Sequence, residues 1–194
     1  RLSSMDDLAK DTRAGIQFMS SLDVVDSTRL GIIGFSQGGK VAPLVYQYYP
    51  NLSFIVNISG GTVSFNKGLR YESKYNLKEM GIPGFLAGPL SPLAASVAKS
   101  KRPVWWEKNG RFDPMPYWEQ IKDVPVLIMY GEEDTNMPVN ESVAQLKSMI
   151  QQSDKDNFTV QVFSETGHAL FQRDKNLIRK DVLNTLSGWL EREL

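Results

Sequence analysis

The chain reads as an α/β protein: a parallel sheet of about four strands joined by helical crossovers, with a helical insertion before the third strand. Three observations carry this. Short apolar runs rich in β-branched residues recur at Leu30–Phe35, Phe54–Ile58, Val126–Tyr130 and Thr159–Phe163. Segments with apolar residues at helical spacing lie between them. Gly34-Phe35-Ser36-Gln37-Gly38 sits between the first run and the helix after it, where the backbone must turn sharply.

The elements follow in order. Leu8, Thr12, Ile16 and Met19 share one face of an opening helix that ends near Leu22. Asp23 to Arg29 is a polar link into the first strand. Val41, Ala42, Leu44, Val45 and Tyr48 mark the next helix, closed by Pro50. The second strand ends at Ser59-Gly60-Gly61. Residues 62–120 lack any run of parallel-strand type and read as a helical cap insertion on a core of 1–61 and 121–194. Within it, Tyr71–Met80 and Pro92–Lys101 are helix candidates, separated by breaks at Gly81-Ile82-Pro83-Gly84 and Gly88-Pro89. Most of Trp105, Trp106, Phe112, Tyr117 and Trp118 are expected to hold the insertion together, with two or three lining a pocket. Val139, Val143, Leu146 and Ile150 share a helical face. The last helix carries Ile178, Val182, Leu186, Trp189 and Leu190, a stripe that must cover the sheet.

The chemistry begins at Ser36. A Gly-x-Ser-x-Gly between strand and helix is the pattern of a nucleophile elbow, in which a strained turn lifts the hydroxyl above the sheet. Glycines on both sides are expected to remove Cβ atoms that would clash. A serine nucleophile needs a base, and the chain holds one histidine, His168. A lone histidine is commonly structural, but His168 follows the fourth strand run, at the end of the sheet where such folds gather their chemistry. Asp134 follows the third run within Gly131-Glu132-Glu133-Asp134, and Glu133 is its nearest rival as the orienting acid. The order Ser36, Asp134, His168 is that of the α/β-hydrolase triad.

These residues resemble the α/β-hydrolase superfamily, in its serine esterase, acyl-thioesterase and prolyl-oligopeptidase-like branches. Gly34-Phe35-Ser36-Gln37-Gly38-Gly39 is similar to their elbow. Gly131 to Val139 resembles their acid loop, and Phe112-Asp113-Pro114 through Gly131 resembles the approach to it. The resemblance implies a serine hydrolase acting on a carboxylic ester or thioester through an acyl-enzyme, with the Gln37 backbone N–H as an oxyanion donor. It leaves as the second choice a prolyl-oligopeptidase-like peptidase acting on short peptides, and, behind both, a non-catalytic binding module. It implies that several strands, and the loop with the second oxyanion donor, precede residue 1. With no such neighbour the first strand is expected to expose an apolar edge, through which the chain self-associates, binds the missing N-terminal part or is poorly soluble.

Composition narrows the classes. Lys plus Arg and Asp plus Glu both number 22, so no net field favours nucleic acid. No apolar run approaches the roughly 20 residues of a membrane span. The absence of cysteine rules out disulfides and a thiol nucleophile, and with one histidine it makes a metal centre or cofactor unexpected. Neither feature assigns a cellular compartment.

Overall fold

A computed structural model describes residues 3–171 and 177–194. Four parallel strands, β1 (Ile32–Phe35), β2 (Ile55–Ile58), β3 (Val126–Gly131) and β4 (Phe158–Phe163), lie side by side in sequence order. Ile32 pairs with Ile55, Ile55 with Val126 and Val126 with Phe158, so the four strands start level. Helix α1 (Met5–Ser20) precedes β1, α2 (Gln37–Tyr48) crosses to β2, and α7 (Val139–Gln152) crosses to β4. Between β2 and β3 lie α3 (Phe65–Glu79), α4 (Gly84–Ser100), α5 (Pro103–Asn109) and α6 (Met115–Glu119), and α8 (Lys180–Glu193) closes the chain.

The sheet is covered on two faces because successive side chains point to opposite sides. Ile55, Val126, Ile128 and Tyr130 meet α1, α2, α6 and α7 on one face, through Ala9, Val45, Trp118 and Leu146. Val56, Leu127, Met129 and Phe163 meet Val182 and Trp189 of α8 on the other. Every residue of β3 is buried, as expected of a strand walled on both faces.

Several elements differ from the reading of the sequence. Helix α1 begins with a capping box, in which Asp7 N–H donates to Ser4 Oγ (3.1 Å) and Ser4 N–H to Asp7 Oδ2 (2.8 Å). Its buried residues are Met5, Ala9 and Ile16, while Thr12 and Met19 are exposed. The buried face is turned by about 45° from the expected one, roughly half a residue, and shares Ile16 with it. Helix α4 runs unbroken through Gly88-Pro89. Its two prolines lie on the exposed side, and the Gly88 carbonyl, to which Pro92 has no N–H to donate, accepts from Ser91 Oγ at 2.8 Å. Ile178 stands before α8, bridged to Phe171, and is no part of the helical stripe. Trp118 is fully buried in the main core, edge-on to Phe158 (ring centroids 6.2 Å apart), where the sequence suggested an aromatic internal to the insertion.

Candidate active site

The turn from β1 to α2 places Ser36 at φ 53°, ψ −111°, a conformation that few non-glycine residues adopt. Neighbouring structure holds it there. Ser36 N–H donates to the Ile58 carbonyl at 2.8 Å, at the adjoining strand end. A Cβ on Gly34 would lie 2.4 Å from the Gly38 carbonyl oxygen, so the turn closes only over glycine. At Gly38 a Cβ would meet nothing within 4 Å, so the second glycine of the motif is not sterically required by the described residues. The close approach falls instead at Gly39, where a Cβ would lie 2.0 Å from Asn57 Oδ1. The sequence motif marked the wrong member of that pair because the neighbour, Asn57, is distant in the chain.

His168 and Asp134 come from the loops after β4 and β3. Gly131 lets those loops approach, since a Cβ there would meet the Gly167 carbonyl oxygen at 2.3 Å. Glu133 N–H then donates to the Thr166 carbonyl at 2.9 Å. Asp134 is buried (1% exposed), and its Oδ1 accepts from the N–H groups of Asn136 (2.8 Å) and Met137 (3.2 Å). Its Oδ2 lies 2.7 Å from His168 Nδ1. An ionised carboxylate only accepts, so Nδ1 carries the proton and Nε2 is free to accept from Ser36 Oγ, 2.8 Å away. Glu133 is exposed and does not take this position. The structure thus brings Ser36, His168 and Asp134 into one hydrogen-bonded relay, with Phe35 tilted against the imidazole at 5.3 Å. Gln37 is the first residue of α2, and its N–H has no acceptor within the helix ladder.

A cleft of about 320 Å³ opens on Ser36 and His168, walled by Phe65, Leu69, Trp105 and Trp106. Phe112, Tyr117 and Trp118 do not line it. Two charged residues that the motifs did not single out do. Lys40, one turn into α2, is buried (7% exposed); its Nζ donates to the Gly61 carbonyl at 2.9 Å and to the Val63 carbonyl, and lies 5.0 Å from the Phe65 ring centroid. Burial brings its ammonium down to about 8. Glu72 of α3 is partly buried, and desolvation pushes its carboxyl up. Neither is legible in a motif, because both reach the cleft through tertiary packing.

Comparisons with known proteins bear on the fold and the family. The inactive dipeptidyl peptidase 10 of Rattus norvegicus is 22% identical over 190 residues, covering 96% of this chain and 20% of that protein. The chain thus spans about a fifth of the length of the curated relatives it matches. Among solved structures, the acylaminoacyl peptidase of Pyrococcus horikoshii superposes with a TM-score of 0.67 at 17% identity, over 97% of this chain and 28% of its own. The esterase Pf2001 of Pyrococcus furiosus superposes at 0.62 with 17% identity, over 96% and 62%. At such identity the superpositions establish the fold, that of an α/β hydrolase. The sequence model described as BAAT / Acyl-CoA thioester hydrolase C terminal matches residues 13–172. A match over that much of the chain, on a parallel sheet with a strand-to-helix serine turn, places the protein in this family: it is a member of the BAAT / acyl-CoA thioester hydrolase C-terminal family of α/β-hydrolase folds.

Proposed function

We propose that the chain is a serine hydrolase that cleaves a carboxylic ester or thioester through an acyl-enzyme. The observation that carries this is the relay from Asp134 Oδ2 through His168 to Ser36 Oγ, with both contacts below 3 Å. In this mechanism His168 Nε2 takes the Ser36 proton as Oγ attacks the acyl carbonyl. Asp134 holds the imidazole in the required tautomer and stabilises its charged form. The Gln37 N–H, at the positive end of α2, donates to the developing oxyanion. His168 then protonates the leaving alcohol or thiol, and water, activated by the same imidazole, releases the acid. No cofactor takes part. Residues 62–120 act as a cap on the core of 1–61 and 121–194, apart from α6, which packs into that core through Trp118, and they supply Phe65, Leu69, Trp105 and Trp106 as the wall for the acyl group.

The family description favours a thioester among the substrates. A peptide bond is the second choice, favoured by the likeness to an acylaminoacyl peptidase. The experiment is labelling with a fluorophosphonate probe, followed by turnover of an acyl thioester, a carboxylic ester and a short peptide. Labelling of the wild type and none of Ser36→Ala is expected. An unlabelled wild type would sink the catalytic reading and leave a binding module, in keeping with the inactive relative.

A further inference from the structure

Helix α4 packs inside out. Ala87, Ser91 and Ala95 are buried, and α4's main neighbour is α3. Its large side chains face outward: Phe85 is 78% exposed, Leu93 66% and Val97 58%, with Leu86 and Leu90 beside them. At about 100° per residue these five occupy an arc of roughly 140°, the width of the apolar stripe by which a helix normally enters a core. Here no described element covers it. The turn before the helix adds Met80, 77% exposed.

The same hairpin concentrates positive charge. Residues 65–102 hold seven Lys or Arg and two Asp or Glu, while the other 156 residues hold 15 and 20. A chain with no net charge is therefore divided, its basic part coinciding with its exposed apolar part. Lys99, Lys101 and Arg102 stand at the C-terminal end of α4, and Arg70 and Lys78 are exposed along α3. Pairing two copies through this face would set two hairpins of like charge against each other. An anionic surface with an apolar interior satisfies both features at once.

We propose that the α3–α4 hairpin docks the protein on an anionic lipid surface, with α4 lying in the headgroup plane. The helix is about 25 Å long by its 17 residues. No helix among the described residues is long and apolar enough to cross a membrane, so the association is peripheral. Phe85, Leu86, Leu90, Leu93 and Val97 enter the acyl boundary, while the basic residues meet lipid phosphates and carboxylates. Gly68, Leu69 and Glu72 of α3 also line the cleft, so docking holds the cleft wall beside the leaflet.

Flotation with phosphatidylcholine vesicles, and with vesicles also containing phosphatidylserine, tests this. The chain is expected to float with the anionic vesicles only and to be released by high salt. Lys101→Gln with Arg102→Gln should weaken partitioning about thirtyfold, from about fivefold per charge. Phe85→Ser with Leu93→Ser should weaken it about a hundredfold or more. All four sites are exposed, so circular dichroism should match the wild type, and Ser36→Ala should float as the wild type does. Absence of flotation, equal flotation with neutral vesicles, or variants that float unchanged would overturn the proposal. So would a dimer in sedimentation that the Phe85/Leu93 substitutions dissolve without any flotation of the wild type.

Discussion

Two alanine substitutions separate the elbow glycine that steric contact requires from the one that it does not. At Gly34 an added Cβ meets the Gly38 carbonyl oxygen at 2.4 Å and Gly39 N at 2.7 Å. Both are backbone atoms, so no side-chain rotation relieves the contact. The turn must open by about 0.6 Å even to reach 3.0 Å. Such overpacking typically costs about 1–3 kcal/mol. At Gly38 the Cβ meets nothing within 4 Å, and the residue lies inside α2 at a negative φ. Alanine there gains about 0.5–1 kcal/mol of helix propensity. The two variants should therefore differ by roughly 2–4 kcal/mol in urea unfolding, or roughly 5–15 °C in Tm. Opening the turn also displaces Ser36 Oγ from His168 Nε2. A misplacement near 1 Å typically costs about a hundredfold, so Gly34→Ala should label with a fluorophosphonate about ten- to a hundredfold more slowly. Gly38→Ala should label at the wild-type rate. Equal losses of stability in the two variants would refute the steric account of the elbow.

His168→Ala should abolish labelling while costing no more than about 2 kcal/mol in urea unfolding, since Asp134 keeps its two backbone donors; a variant that fails to fold would mark the histidine as structural. Lys40 titrates near 8 when folded against an ordinary 10.5. Below 8 both states hold the proton and the burial penalty is complete; between 8 and 10.5 the unfolded chain holds more protons, so this contribution to stability rises with pH. The wild type should therefore gain about 2–3 kcal/mol over Lys40→Met between neutral pH and about pH 10, and a pH-independent difference would contradict it. Strand β1 pairs only with β2 among the described residues, and Ile33 and Phe35 are half exposed. The chain should self-associate in sedimentation at micromolar concentration and Ile33→Lys should reduce this, whereas a clean wild-type monomer would show that the edge is harmless.

Local chemistry and chain order are legible without any coordinates. Apolar β-branched runs between helix-periodic segments specify parallel strands. A serine between strand and helix, with an acid and the one histidine after two later strands, specifies which side chains a parallel sheet carries to one edge. Asp134 prevailed over Glu133 through the turn to Pro138, which folds the aspartate inward beneath two backbone N–H groups. The remaining features are not legible there, because each depends on a neighbour remote in the chain. Gly39 is crowded by Asn57, whose Oδ1 a Cβ would meet at 2.0 Å, and Lys40 turns inward to the carbonyls of Gly61 and Val63. Trp118 joins the main core through Phe158. Helix α4 shows the limit most plainly. Its sequence shows a helix only over Pro92–Lys101 and no preferred face, yet small residues allow the closest approach to α3, and so the large side chains face outward. Hydrophobicity sets how much surface seeks cover, and packing geometry sets which face obtains it.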